Sequence, residues 1–368
     1  MASPQFFHYI KSMQRQADRS GLIVLGNQSA DLDSVASALV LAWHLAGQQP
    51  QKNPVALIAR RRCDLSLRPE LQFVLARAGI NPDHLLFTDD VELGEKVAQG
   101  AELVLVDHNS LEAPLPPARQ RVTAIIDHHH DHGAFPDASP RIIDQVGSTA
   151  TLVAELVLRE KGEMAASAAL LLLSALLMDT VNLSAQAGRS TARDQAMAEK
   201  LLALSGVERD SFFNSLQQAQ HDLKGLSTQQ LLGRDYKEWP DPVGRYGMST
   251  VLLSLDQWRQ QETDLTAALA RFARQKGLAI LMVMLVSYEP DFQRELIILC
   301  RDKKLLINMV TFLEQQGLRL SVHQGSTAIV DRDGYLGFYR QGTVSISRKK
   351  LQPLVHRFLA SLHGKQQE

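Results

Sequence analysis

The chain has 368 residues, of which 45% are hydrophobic and 21% charged, and its formal net charge is −1. That length suits two domains, and that composition supports a packed core and excludes a disordered chain. The near-neutral charge argues against a broad basic face for duplex nucleic acid, while leaving room for a local basic pocket that takes a small polyanion.

Elements are taken in chain order. Apolar periodicity predicts a strand over 22–25, a helix over 34–46, a strand over 55–59 and a helix over 70–78. A short strand at 85–87 and a short helix at 91–98 follow, then two apolar runs, 103–106 and 122–126, of the kind found in fully buried parallel strands. Helices are expected over 148–161, 165–178, 191–204 and 210–223. Alternation of this kind implies βαβ units, hence an α/β fold with a mostly parallel, doubly wound sheet. The character changes over 224–245, where KGLSTQQ and WPDPVGRYG are polar and punctuated by Gly and Pro. Beyond them come a strand at 246–252, a helix at 256–275, strands at 278–287 and 295–299 joined by the turn YEPDFQ, a helix at 304–316 and short strands at 328–330 and 337–339. This is the pattern of a smaller, mixed α+β domain. The expected organisation is a catalytic domain over 1–205, a helical linker and hinge over 206–230, and a second domain over 231–368.

The two cysteines, Cys63 and Cys300, lie far apart without metal-type spacing and read as ordinary thiols in a reducing compartment. Residues 1–20 lack the apolar core of a signal peptide, and the most apolar stretch, 165–178, is too short for a bilayer and runs into Asp179. A soluble, cytoplasmic protein with no membrane contact is expected.

Ligands of doubly wound sheets gather at the carboxyl ends of the strands. After the first strand come Asn27, Asp31 and Asp33; after 103–106 come Asp107, His108 and Asn109; after 122–126 come Asp127, His128, His129 and His130. Asp179, with Thr180 and Asn182 behind it, ends the apolar helix. Each has a plain alternative when taken singly. A D-x-D serves turns, a D-H-H-H run can be an exposed loop, and Asp107 and Asp179 can be end caps. Jointly they place acids and imidazoles along one edge, where carboxylates repel unless a cation neutralises them. Such mixed ligands suit Mn, Co, Fe or Zn, with Mg acceptable where oxygen dominates. His130 and His132 read as solvated loop residues.

The motifs N-x-x-x-D-x-D (Asn27, Asp31, Asp33), D-H-N (Asp107, His108, Asn109), D-H-H (Asp127, His128, His129) and L-L-M-D-T, together with QVGSTATLVAEL at 145–156, resemble those of a DHH-superfamily phosphoesterase. One branch of that superfamily carries G-G-G-H in its C-terminal domain and cleaves short oligonucleotides; this chain has no Gly-Gly pair. Its LLGRDYKEW (231–239) and SISRKKLQPLV (345–355) are similar instead to the DHHA2 domain of family II inorganic pyrophosphatases, exopolyphosphatases and Prune-type proteins. D-Y-K-E-W and the G-N-x-S-A-D-L-D-S opening resemble the exopolyphosphatase and Prune group; family II pyrophosphatases have His in the place of Asn27.

The resemblance implies two adjacent divalent ions, Mn or Mg with Co as a further candidate. Asp31 would hold one, with Asn27 as a metal-site residue beside it in the place of the usual His; Asp33, His128 and Asp179 would hold the other; Asp107 would bridge. Paired cations lower the pKa of a shared water, so the implied activity is release of terminal phosphate from inorganic polyphosphate by a metal-bound hydroxide. Asp107 and His129 are the implied catalytic residues, His129 as a donor to a phosphate or leaving-group oxygen. His108 and Asn109 are candidates for substrate contact or for orienting the ligands. Arg348 and Lys349 match the family's phosphate-binding pair, and Lys237 of D-Y-K-E-W is a further substrate candidate. Lys350, on a segment expected to be extended, would point away. A solvated charge cluster is the plain alternative for S-R-K-K. Arg60, Arg61 and Arg62, with Arg68, read as a landing strip for longer polyphosphate or as an exposed strand-end loop. Metals on one domain and cations on the other imply a cleft that closes. The alternatives are a manganese-dependent pyrophosphatase acting on pyrophosphate, a Prune-like nucleotide phosphodiesterase, or an impaired, non-catalytic binding protein; the intact acids and D-H-H argue against the last. The relatives imply a monomer or a homodimer.

Overall fold

In the computed structural model, which describes residues 4–111, 121–223, 225–242, 244–288, 291–330 and 334–364, the chain divides into two units, Met1–Asp222 and Leu223–Glu368. The first is built on short apolar strands: β1 (Leu22–Leu25), β2 (Val55–Ile58), β3 (Leu86–Phe87), β4 (Glu102–Val106), β5 (Val122–Asp127) and β6 (Arg141–Ile143). β1, β2 and β3 are buried at every position, which is why they read as unbroken apolar runs. All pairings are parallel, in the order β3-β2-β1-β4-β5-β6. The strand order reverses between β1 and β4, and the crevice at their carboxyl ends is where such a sheet binds ligands.

Eight helices accompany this sheet among the described residues: α1 (Pro4–Gln16), α2 (Leu32–Gln48), α3 (Pro69–Arg77), α4 (Leu93–Ala98), α5 (Thr149–Lys161), α6 (Ala166–Asp179), α7 (Ala192–Ser205) and α8 (Arg209–His221). α2 is buried from Leu32 through His44, so small and apolar residues together make up most of that stretch. α6 is buried from Ser167 through Leu177 and packs on α2, α5 and α7, which accounts for its apolar sequence. No helix among the described residues is long and apolar enough to cross a membrane. α8 packs on α3 and α6 and so lies within the first unit. The stretch 206–230, expected as a linker, is therefore shared between the two units, which divide at Asp222 and Leu223.

The second unit opens with α9 (Thr228–Gly233) and continues through β7 (Lys237–Trp239), β8 (Tyr246–Val251), α10 (Leu255–Gln261), α11 (Leu265–Gln275), β9 (Ile280–Ser287), β10 (Gln293–Cys300), α12 (Lys303–Gln315), β11 (Leu320–Val330), β12 (Gly334–Gln341) and α13 (Arg348–Gly364). Its sheet runs β11-β12-β10-β9-β8-β7, antiparallel except for β8 and β9. β9 and β10 pair as expected around YEPDFQ, of which residues 289 and 290 lie outside the described residues.

Three expectations change here. The helix expected over 256–275 is two helices, because Asp264 starts α11 afresh by accepting from Ala267 N at 3.0 Å. The short strands at 328–330 and 337–339 are parts of the longer hairpin strands β11 and β12. S-R-K-K is no extended segment but the first turn of α13; Pro353, inside that helix, disguises it in the sequence.

A buried aspartate fixes the region around the sheet's edge. Asp194, fully buried, accepts from Thr151 Oγ1 (2.6 Å), Gly147 N (2.9 Å), Thr191 N (2.7 Å) and Thr191 Oγ1 (2.7 Å). It fastens the start of α7 to the start of α5. Asp194→Ala leaves these donors without an acceptor and should cost about 3 kcal/mol of stability; a chemical-denaturation midpoint equal to that of the wild type would remove this role.

Candidate active site

The site begins where β1 ends. Gly26 lets the chain pass close to α2, since a Cβ there would collide with Ser34 Oγ; that hydroxyl accepts from Asn27 N at 2.7 Å. Asp31 is the N-cap of α2, accepting from Ser34 N at 3.2 Å and from Ser29 Oγ at 2.7 Å. Asp33, two residues on and buried, accepts from Thr149 N (2.7 Å) and Ala150 N (2.8 Å). It thus sits on the N-terminus of α5, where backbone N–H groups and the helix dipole favour negative charge. Asp107 follows β4 with a left-handed φ of +64° and is buried. Its carboxylate accepts from Thr149 Oγ1 at 3.1 Å and Asn27 Nδ2 at 2.6 Å.

From the end of β5, His128 places Nε2 3.6 Å from Asp107 Oδ1 and 3.9 Å from Asp33 Oδ2. Its Nδ1 faces the Val146 carbonyl at 3.1 Å, which fixes the hydrogen on Nδ1 and leaves Nε2 as a lone-pair donor. Asp179, at the end of α6, keeps a buried Oδ2 with no hydrogen-bond partner. Asp31, Asp33, Asp107, His128, His129 and Asp179 line one hollow, together with Val146, Gly147 and Arg189.

The electrostatics of this hollow call for a cation. Burial, then the charges of Asp33, Asp31, Asp179 and Asp127, push the Asp107 carboxyl up to about 11. Burial, then Asp33 and Asp31, raises Asp179 well above the usual carboxylate range. A divalent ion removes exactly this kind of penalty. The orphaned Asp179 oxygen, the carboxylates and the free His128 Nε2 form a donor set that fits such an ion. Donor atoms of Asp107, His128 and His129 lie within 4.8 Å of one another. His129, however, spends its Nδ1 on Asp127 Oδ1 at 2.8 Å and stands 3.7 Å from Asp107.

Asp127 is wholly buried and also accepts from His128 N at 2.8 Å and Asn109 Nδ2 at 2.6 Å. Burial alone would raise its carboxyl, but the hydrogen bonds from His129 and Asn109 outweigh it and hold the group below its usual range. In return the hydrogen bond to Asp127 raises His129 above an ordinary imidazole, against the opposing effect of burial.

Residues 22–177 match the DHH family, N-terminal domain, and residues 214–358 match the DHHA2 domain. Exopolyphosphatase PRUNE1 of Rattus norvegicus is 31% identical over 356 residues, covering 94% of this chain and 77% of that protein. The chain belongs to the DHH family, in its exopolyphosphatase and Prune-type group. A manganese-dependent inorganic pyrophosphatase of Methanocaldococcus jannaschii is 24% identical over 286 residues, covering 75% of this chain and 86% of that one. The fold is shared with the crystal structure of a Methanococcus jannaschii chain assigned to family II inorganic pyrophosphatases, at a TM-score of 0.54 and 22% identity, over 92% of this chain and 99% of that one.

The structure brings Asp31, Asp33, Asp107, His128, His129 and Asp179 of this DHH chain into one hollow. It treats the other sequence candidates differently. Asn27 turns its amide oxygen to Ser29 N (2.8 Å) and Ala30 N (3.2 Å), and these two backbone donors fix the amide's orientation. Its Nδ2 therefore donates to Asp107, and Asn27 offers no lone pair to an ion. His108 faces the Val106 carbonyl at 3.0 Å and lines a neighbouring hollow with Gln28, Arg60 and Thr88, away from the acids. Asn109 is buried and braces Asp127, the His130 carbonyl (2.9 Å) and His132 N (3.0 Å).

The basic run is spent largely on neighbouring loops. Arg60 Nε donates to the Gln28 carbonyl (2.7 Å), Arg62 pairs with Asp90 (2.6 Å), and Arg68 donates to the Ser29 carbonyl (2.6 Å). In the second unit, Arg348 is 11% exposed and pairs with Asp235 at 2.7 Å. Lys349 and Lys350 are exposed on α13, and Lys237 is exposed on β7. Sequence reasoning gave no role to Asp127, Thr149 or Arg189. The first two were signalled by D-H-H itself and by G-S-T-A-T, whereas nothing around Arg189 singled it out.

The raised Asp107 carboxyl sets a pH dependence. The folded, metal-free protein holds a proton there that the unfolded chain releases above the ordinary carboxylate pKa of 3.8. Stability of the metal-free protein should therefore fall as pH rises from about 5 to 9, by at most about 1.4 kcal/mol per unit. Asp107→Asn, which keeps the left-handed backbone accessible, should flatten that slope. Identical slopes of thermal midpoint against pH in the two proteins would refute the electrostatic account.

Proposed function

We propose that the protein is an exopolyphosphatase that hydrolyses terminal phosphoanhydride bonds of inorganic polyphosphate with two divalent cations, Mn or Mg. The observation that carries this reading is the cluster of Asp31, Asp33, Asp107, Asp179 and His128 Nε2 at the β1–β4 crevice, with no Lys or Arg among the described residues paired to any of these acids. The relatives named as exopolyphosphatase and as manganese-dependent pyrophosphatase support phosphoanhydride hydrolysis. Those four acids and His128 would hold the ions, which supply Lewis acidity toward phosphate oxygens and toward water.

The chain's own residues do the rest. Asp127 anchors His129 through Nδ1 and keeps it readily protonated, so that Nε2 can deliver a proton to the departing phosphate oxygen. Asn109 holds Asp127 in place. Asn27 fixes one oxygen of Asp107. Arg348, oriented by Asp235, and Lys349 are our candidates for phosphate recognition by the second unit, with Lys237 as a further cation. A donor amide at Asn27, in the place of a pyrophosphatase imidazole, favours the longer substrate. Pyrophosphate hydrolysis is the second reading, supported by the Methanocaldococcus relative.

A substrate panel separates these readings. Phosphate release with Mn or Mg is expected from tripolyphosphate and longer chains, and chelation should abolish it. Release from pyrophosphate alone would select the second reading, and release from none of the substrates, a cyclic nucleotide included, would defeat the enzyme assignment.

The role of His129 has its own test. Its proton is available below its raised pKa and lost as pH climbs through it, so activity should decline along that limb. Asp127→Asn removes the acceptor and should move the alkaline limb to lower pH while reducing turnover by roughly 10- to 100-fold. An unmoved limb would take His129 out of the proton-donating role.

A further inference from the structure

Arg189 lies in the segment between α6 and α7, on the wall of the acid-lined hollow. The backbone there is held closely. A Cβ on Gly147 would come within 2.9 Å of the Arg189 carbonyl, and Gly147 N is itself tied to Asp194 at 2.9 Å. The side chain is exposed. It shares the hollow with Asp31, Asp33, Asp107 and Asp179, yet among the described residues its guanidinium makes no hydrogen bond or ion pair. Several arginines of this unit are paired with acids: Arg62 with Asp90, Arg141 with Asp131, and Arg193 with Asp144 and Glu155.

Three of these four acids turn their oxygens elsewhere, and the fourth, Asp179, keeps its Oδ2 buried without a partner. Asp33 takes the N–H groups of α5, Asp31 those of its own turn, and Asp107 the donors of Asn27 and Thr149. A guanidinium placed beside these carboxylates but bonded to none of them is available to a different anion. It cannot belong to the ion-binding set, because arginine stays protonated and offers no lone pair. Its planar fork matches phosphate oxygens in two parallel hydrogen bonds.

We propose that Arg189 binds a non-bridging phosphate oxygen of the substrate, so that the DHH unit carries its own anion-recognising cation beside the ion-binding acids. The assignment rests on the phosphoanhydride-hydrolase reading above. It adds to that reading a substrate-binding residue belonging to the first unit alone, independent of Arg348 and Lys349.

The test uses the full chain saturated with Mn, the non-hydrolysable anion imidodiphosphate, and the variants Arg189→Ala and Arg189→Lys. Calorimetry of imidodiphosphate binding should show a loss of roughly 10- to 100-fold in Arg189→Ala, the range expected for one charge-assisted hydrogen-bonding group. Arg189→Lys should recover part of it. Mn affinity should stay at the wild-type value, and KM for tripolyphosphate should rise in step with the anion's dissociation constant. Unchanged imidodiphosphate affinity in Arg189→Ala overturns the proposal, and so does an equal loss of Mn affinity, which would make Arg189 a support for the ion site. Because binding is read without turnover, a wild-type protein that binds the anion but hydrolyses nothing defeats the hydrolase reading while Arg189 is still judged on affinity. A wild-type protein that binds no such anion overturns both.

Discussion

Mutual repulsion among carboxylates in a shielded place is the constraint around which the first unit is arranged. Asp33 and Asp107 are buried, and Asp31 and Asp179 line the same hollow. The scaffold offsets part of the repulsion with backbone N–H groups: Asp31 caps α2, and Asp33 sits on the start of α5. What remains is expressed in the raised Asp107 and Asp179 carboxyls, and a bound cation is the natural relief. The close passage at Gly26 and the fastening by Asp194 keep the acids from moving apart, which would be the cheaper way to relieve the strain of like charges.

The D-H-H triplet divides three tasks among three neighbours. Asp127 points inward and collects hydrogen bonds; His128 turns Nε2 to the acids; His129 leans back on Asp127 and stays half exposed. Asn109, from the neighbouring strand end, secures Asp127 and at the same time the loop at His130 and His132. Identity of sequence spacing therefore conceals a difference in depth: consecutive residues leave the strand in different directions once its pairing ends.

Much of the first unit was legible because buried parallel strands are continuous apolar runs, and acids at their ends stand out against them. Strand limits such as 22–25, and the gathering of Asp31, Asp33, Asp107, His128 and Asp179, follow from that contrast. Less was legible where side-chain direction decides. Asn27 has the right place for a ligand, but two backbone N–H groups turn its oxygen away. His108 follows Asp107 directly and still faces another hollow. The second unit was harder. Asp264 divides a continuous helical pattern, and Pro353 hides a helix whose first turn carries three basic residues at its positive end, an arrangement that Asp235 partly neutralises.

The left-handed residue at the end of β4 carries a last consequence. Asp107 reaches the hollow from a conformation few side chains tolerate, and both its oxygens are already hydrogen-bonded, to Thr149 and Asn27. Its position is thus decided by the protein and not by whichever ion arrives. A frame that does not adjust discriminates among ions by radius, because each ion has its own preferred distance to oxygen and its own number of ligands.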